Sequence, residues 1–286
     1  MYVDKVIKDT IFLDVNGVKL RVYDSSREKQ YDEAITLVFL HGSPGQISNW
    51  KYQLRYFKEY YRVIAFDQRG YGMSSKPRVV SIDDYLSDLD ELLNRLNVNA
   101  KDTVLLGHSF GGMIAQIYVA HHNVKGLVLI GSLVKLKASL IDKFIWNAPP
   151  LLWRKLLFTD NPLTRRLYRK LFFSSKTSAE IFREFMEDNR QYIESLPGYV
   201  FQYEKYFRDY DATSILPKIS CPALIIVGRE DKVTPVEQSQ QIHKLIPNSK
   251  LIIIDDVGHL VLYEKPNELN KIIHDFIKTL KQRTCT

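Results

Sequence analysis

The run TVLLGHSFGGMIAQIYVAHH (103–122) limits what this 286-residue chain can fold into more than any other stretch. Residues 103–106 do not alternate polar with apolar, the mark of a strand buried on both faces. A helical run, MIAQIYVAHH, follows at 113–122. Only Gly107-His108-Ser109-Phe110-Gly111-Gly112 lies between them, so the chain must turn sharply from strand to helix there. This is G-x-S-x-G in the setting that gives the motif meaning. A serine at such a turn sits in strained backbone, and its neighbours must lack side chains for the turn to close. The turn lifts the Ser109 hydroxyl above the sheet, beside a helix N-terminus whose dipole favours developing negative charge. Ser109 is thus the candidate nucleophile, with an ordinary structural turn as the plainer alternative.

The same rhythm of buried strand and helix recurs along the chain, which is the pattern of a mostly parallel α/β sheet. Residues 10–15 and 18–23 flank Asn16-Gly17, a strong hairpin signal. Residues 35–40, 62–66, 103–106, 127–130, 223–227 and 251–254 read as buried strands, giving five to six parallel core strands plus the N-terminal pair. Ile82, Tyr85, Leu86, Leu89, Leu92, Leu93 and Leu96 follow helical spacing, with Ser81 as N-cap. A helix is expected from Ser109 to about His121. Another is expected from about Pro266 to Lys281, with Leu269, Ile272, Ile273, Phe276 and Ile277 on one side.

Residues 133–214 break that rhythm. They lack clear buried strands, are rich in aromatics, and are punctuated by Pro149-Pro150, Pro162 and Pro197-Gly198. The expected organisation is a core of residues 1–132 and 215–286 carrying an inserted helical cap at 133–214. At 45% hydrophobic residues the chain can bury a core of that size without staples. Its two cysteines, Cys221 and Cys285, make a disulfide framework unexpected, with Cys285 expected to be exposed near the chain end. No window approaches the roughly 20 apolar residues of a membrane span, and residues 1–10 carry no signal-peptide core. A soluble cytoplasmic protein is the expectation. The net charge of +7 comes without zinc spacing, RNP-like strand or DNA-reading helix, so nucleic acid is not an expected partner.

A serine hydroxyl needs a base to take its proton. Of seven histidines, His259 follows the strand-like LIIIDD in a short loop, Val257-Gly258-His259, at the end of a strand where ligands sit in open α/β sheets. His41 and His108 also stand at strand ends and are read as braces. The remaining four fall on helices. The base in turn needs an acid that orients its ring, and Asp231, just beyond the strand ALIIV, fits that role. Glu230 is its nearer rival, with Asp255 and Asp256 as strand-end competitors. The strand ending in His41-Gly42-Ser43-Pro44-Gly45 can turn a backbone N–H toward a reacting carbonyl. The oxyanion hole would then comprise the N–H groups of Ser43 and Phe110.

With LHGSPG (40–45), FDQRGYGMSS (66–75), GHSFGG (107–112), GREDKVTP (228–235) and DVGHLVLYEKP (256–266), the chain resembles the α/β-hydrolase superfamily, in its cap-bearing branch. The resemblance spans nearly all of the chain outside the cap. It implies an eight-stranded sheet flanked by helices, a Ser109–His259–Asp231 triad and a helical lid, and nothing in it requires a metal or an organic cofactor. Epoxide hydrolases and haloalkane dehalogenases are similar around HG-x-P, but carry an aspartate where this chain has Ser109. Proline iminopeptidases are similar at HG-x-P-G and DQRG, although Ser43 replaces their usual second glycine. They bind a free amine through cap carboxylates, and Glu184, Glu187, Asp188, Glu194 and Glu204 stand as candidates.

Within residues 135–190, twelve Lys or Arg face six Asp or Glu, interleaved with aromatics. That pattern suits an apolar acyl pocket with a rim attractive to anions or a lipid surface, or simply a lid solvated outside. The expected substrate is a small ester with an apolar acyl or aryl part, cleaved through an acyl-enzyme. An iminopeptidase-like aminopeptidase is the alternative, and a non-catalytic ligand receptor is the alternative from another class.

Overall fold

The computed structural model describes residues 7–32 and 34–282. Cys285 lies outside them. Eight strands form one sheet: β1 (Thr10–Val15), β2 (Val18–Asp24), β3 (Thr36–Leu40), β4 (Arg62–Phe66), β5 (Thr103–His108), β6 (Gly126–Ile130), β7 (Ala223–Gly228) and β8 (Ser249–Ile254). Their order is β1-β2-β4-β3-β5-β6-β7-β8. The first two are joined through Asn16 and Gly17, both at positive φ (47° and 76°), and pair antiparallel. β2 meets β4 antiparallel, and every later pairing is parallel. This is the eight-stranded, mostly parallel sheet that the resemblance implies.

The uninterrupted apolar strands are explained by two cores, one on each face. Leu105 and Leu129 join Val38 and Leu40 against α2 (Ile82–Arg95) and α3 (Phe110–His121). Val104, Leu106 and Ile130 join Leu37 and Phe39 against α1 (Lys51–Phe57) and the C-terminal helix, through Leu54, Leu269 and Ile273. A parallel strand covered on both sides has no face to leave polar. The α2 N-terminus carries the expected cap: Ser81 Oγ accepts from Asp84 N at 3.2 Å while the Asp84 carboxylate accepts from Ser81 N at 2.8 Å. Helix α1 carries little apolar periodicity and is set instead by the core it covers.

Four helices fill the interval between β6 and β7: α4 (Leu140–Asn147), α5 (Pro150–Leu157), α6 (Pro162–Phe172) and α7 (Ala179–Ser195). A 3-10 segment, Gly198–Phe207, follows. Their inward aromatics go two ways: Phe173 and Phe182 cluster with Met186 on Leu260, apart from the sheet core. Trp146, Trp153, Tyr192, Tyr203 and Phe207 are continuous with the sheet core, where Phe207 packs on Phe110 (rings 5.1 Å apart) and Tyr203 on Tyr71 (5.9 Å). After β7 come α8 (Val236–Leu245), α9 (Val261–Glu264) and α10 (Pro266–Gln282), the last opening on proline as expected.

Candidate active site

Ser109 stands between β5 and α3 with φ 51° and ψ −117°, a backbone conformation that L-residues avoid and that stores about 1–3 kcal/mol. The turn closes because its neighbours are glycines. A Cβ on Gly107 would meet Gly111 O at 2.5 Å, and one on Gly111 would meet Leu40 O at 2.2 Å. Hydrogen bonds lock the strained residue. Ser109 N donates to Ile130 O (2.9 Å), and Ser109 O accepts from Gly112 N (2.9 Å) and from Ser132 Oγ (3.2 Å). Ser132 Oγ is in turn held by Gln116 Nε2 at 2.9 Å, and Gln116 by the Tyr210 hydroxyl at 3.0 Å. Ser109 itself remains half-buried while its neighbours on both sides are buried.

Asp231 and His259 come together: His259 Nδ1 lies 2.8 Å from Asp231 Oδ2, both side chains almost wholly out of water. Burial pushes the Asp231 carboxyl up. The facing imidazole and the hydrogen bonds from His259 and Thr234 outweigh that push and hold its pKa below the ordinary value. Thr234 donates to the carboxylate from both N (2.8 Å) and Oγ1 (2.8 Å), a contribution that spacing alone did not single out. Gly131, at the end of β6 and next to Ile130, brings this pair to the serine turn: a Cβ there would touch Asp231 Oδ2 at 3.1 Å and His259 Nδ1 at 3.2 Å. Among the described residues no hydrogen bond yet joins the Ser109 hydroxyl to His259. Such contacts are commonly long before substrate binds.

The rivals turn elsewhere. Glu230 accepts from Ser174 Oγ (2.7 Å) and Ser175 N (2.9 Å), Asp255 pairs with Arg229, and Asp256 pairs with Lys176 at 2.7 Å. His108 packs its ring 4.8 Å from that of His259 and meets His259 O at 3.1 Å through Nε2. Burial, aided by the neighbouring His259, lowers its pKa to about 3, and burial lowers that of His41 to about 4. Both are neutral braces. His41 Nε2 accepts from Gln68 N at 2.9 Å, and Gln68 Nε2 donates to His41 O at 2.7 Å. The DQRG stretch therefore holds the loop after β3. Asp67 extends the same hold by accepting from Ile47 N (2.7 Å) and Met73 N (2.7 Å).

The backbone N–H groups of Ser43 and Phe110 have no hydrogen-bond partner among the described residues. Phe110 opens α3, where the first N–H groups lack intrahelical acceptors. The Ser43 hydroxyl lies 3.1 Å from the Tyr71 hydroxyl. Glu204, half-buried in the 3-10 segment, stands near Ser43; desolvation and the like charge of Asp142 push its carboxyl up to about 7, against the pull of the Ser43 hydroxyl. Of the other cap carboxylates, Glu184 and Asp188 are engaged by Lys51 and Glu194 accepts from Asp160 N at 2.9 Å.

Besides Glu230, one further carboxylate, Glu264, ties the site to the segment after α6. Glu264, whose pKa burial raises, accepts from Gly258 N (2.9 Å), Ser174 N (2.8 Å) and the Thr177 hydroxyl. Phe172 O accepts from His259 N (2.9 Å) and Leu260 N (3.2 Å). The segment 172–177 is therefore bonded to both loops, the one carrying Asp231 through Glu230 and the one carrying His259 through Phe172 and Glu264. A small cleft of about 20 Å³ between α6 and α7, lined by Tyr168, Phe185 and Met186 together with Asp160, Arg190 and Glu194, lies near this point, since Tyr168 packs on Phe172 at 5.3 Å. No group of three or more His, Cys, Asp or Glu among the described residues could hold a metal. Nor, among them, is any helix long and apolar enough to cross a membrane.

The family model described as alpha/beta hydrolase fold matches residues 35–266. The chain is 30% identical over 262 residues to a proline iminopeptidase of Saccharolobus solfataricus, covering 84% of each protein. It is 27% identical to epoxide hydrolase 4 of Homo sapiens, over 85% of this chain and 72% of that protein. A solved thermophilic esterase from Thermogutta terrifontis superposes with a TM-score of 0.79 at 24% identity, covering 96% of this chain and 99% of the esterase. Together with the sheet order, these likenesses show that the chain belongs to the α/β-hydrolase family and is a hydrolase.

Proposed function

We propose that the protein is a serine hydrolase that cleaves a carboxylic ester with an apolar acyl or aryl part. The observation that carries this reading is the buried 2.8 Å contact of His259 Nδ1 with Asp231 beside a strained, half-exposed Ser109. With Nδ1–H given to the carboxylate, Nε2 is left as the acceptor for the serine proton. Ser109 Oγ attacks the ester carbonyl as His259 takes its proton. The negative charge that develops on the carbonyl oxygen is met by the free N–H groups of Ser43 and Phe110. Collapse expels the alcohol, which takes the proton back from His259. Water, deprotonated by His259 in turn, then releases the acid and restores Ser109. The Phe172 ring, 6.2 Å from that of His259, sets an apolar side chain beside the reacting groups and supports an apolar acyl or aryl part.

Ser109→Ala is expected to lower kcat on p-nitrophenyl esters on the order of 10³-fold or more with the fold intact. Unchanged turnover would refute the reading. A second reading has an observation of its own. Glu204 beside Ser43 could receive the ammonium of a free N-terminal residue, and the chain is similar to a proline iminopeptidase. Under that reading free-amine aminoacyl arylamides are cleaved faster than their N-acylated forms, and Glu204→Gln abolishes the difference. The ester reading is favoured because Glu184 and Asp188, two of the carboxylates that could meet an ammonium, are already engaged by Lys51.

A further inference from the structure

We propose that the outward face of helices α4, α5 and α6 docks on an anionic lipid surface. Twelve large hydrophobic residues among those described are substantially exposed, and seven of them fall within residues 140–163. They are Leu140 (84% exposed), Ile141, Phe144, Leu151 (87%), Leu152, Leu156 and Leu163. Scattered exposed leucines need no explanation, but a cluster of this kind on consecutive helices marks an interaction face.

The helices are not simply inside out. α4 buries Ile145 and Trp146, and α5 buries Trp153, on the 3-10 segment below, so each has an apolar side already occupied. Leu140 and Phe144, like Leu152 and Leu156, are one helical turn apart on the other side. A helix apolar on both sides belongs where both are covered. Since α4 and α5 pack on the same segment and α6 packs on α5, the three helices carrying these exposed side chains are neighbours.

Charge identifies the cover. Residues 135–170 hold nine Lys or Arg against two Asp. Among the described residues Lys137, Lys143, Lys155, Arg166 and Lys170 make no ion pair, and all are exposed. On α5, Lys155 lies one turn from Leu151, within the apolar face. On α6, Arg166 and Lys170 share the side of Leu163. Apolar residues ringed by unpaired cations fit an interface of acyl chains beneath anionic headgroups, with the long basic side chains reaching up to the phosphates. A second copy of the chain would bring the same positive rim against itself, which like-charge repulsion opposes.

Sedimentation with extruded vesicles tests this directly and requires no turnover, so it stands or falls apart from the proposed reaction. Partition onto phosphatidylcholine vesicles carrying about 30% phosphatidylserine is expected to exceed that onto phosphatidylcholine alone by about 10-fold, and to fall as salt rises from about 0.1 to about 0.5 M. Leu140→Ser/Leu151→Ser/Leu152→Ser should lose about 10-fold or more of that partition. These side chains are exposed, so p-nitrophenyl acetate turnover and melting temperature should hold. Lys137→Gln/Lys143→Gln/Lys155→Gln should lose the preference for phosphatidylserine, and it tests the proposal even if the leucine variant fails to fold. Failure to bind either vesicle, or binding that neither variant alters, overturns the proposal. So does a wild-type dimer in analytical ultracentrifugation that the leucine variant converts to monomer, which would assign the face to a second copy.

Discussion

Adjacent residues Glu230 and Asp231 have opposite fates, and local chemistry decides them. Asp231 is drawn inward by His259 and by Thr234, while Glu230 reaches out to Ser174 and Ser175 of the cap. The preference for Asp231 could be argued from its place beyond the strand, but the partner of Glu230 lies 56 residues away and could not. Glu204 is a similar case. It was one of five cap carboxylates in the sequence, and only folding singles it out by placing it beside Ser43. Because the folded chain raises its pKa to about 7, the folded state holds a proton there that the unfolded chain has released. Stability should therefore fall as pH rises from the ordinary glutamate value through about 7, and Glu204→Gln should flatten that slope in denaturant titrations. A wild-type slope no steeper than the variant's would count against the placement of Glu204. At Ser109 the strain itself is testable. Ser109→Gly should raise the free energy of unfolding by about 1 kcal/mol, since glycine accepts positive φ freely. A loss of stability would show that the hydroxyl contributes more than the strain takes away.

At the level of elements, the strands and the long helices were legible because their constraints are local. The middles of β3 to β7 are apolar because helices cover both faces, while the edge strand β8 is only half-buried, and α2 and α10 announce themselves through Ser81 and Pro266. Most of helix α8, VEQSQQIHKL, was hidden, with only His243 read as helical: few of its residues are apolar, and Ile242 alone of its large side chains is fully buried. Equally hidden was the bonding of segment 172–177 to the loops bearing Asp231 and His259, since it depends on residues up to 90 positions apart. That bonding makes the end of α6 a support for the loops bearing Asp231 and His259. Glu264 is central to it, accepting from both the Gly258 loop and the cap. Glu264→Ala should lower kcat about 10- to 10²-fold through misplacement of His259, with KM nearly constant, and Glu264→Gln should recover part of the loss. Steady-state kinetics on a soluble ester would check this; a change confined to KM would assign Glu264 to substrate binding instead.

Across the whole molecule, the cap is joined to the body by polar clamps as well as by aromatic packing. Lys51, buried on α1, bridges Glu184 and Asp188 of α7 at 2.5 Å each, and Tyr263 donates to Asp188 at 3.0 Å. Tyr192 of α7 donates to Gly45 O at 2.7 Å and accepts from Gly72 N at 3.1 Å, gripping the loop that carries Ser43. Removing one partner of such a cluster leaves charge stranded. Lys51→Met should lower stability by about 3 kcal/mol in urea titrations, and adding Asp188→Leu should restore part of it. If Lys51→Met is neutral, the clamp is only a surface pair. The meeting of Asp231 with His259 and the helices between β6 and β7 could be read from the sequence. The sharing of one hydrophobic core between cap and sheet could not, because aromatic periodicity does not say what an aromatic residue packs against.

The claim on which the account depends is that Ser109 is an activated nucleophile. Intact mass and peptide mapping after treatment with a serine-directed fluorophosphonate test it without any choice of substrate. The account predicts a single adduct on the folded wild-type protein, mapped to Ser109 and absent from Ser109→Ala. No adduct on the wild type, or one that persists in Ser109→Ala, would contradict it and point to a ligand-binding member of the family that does no chemistry at this turn.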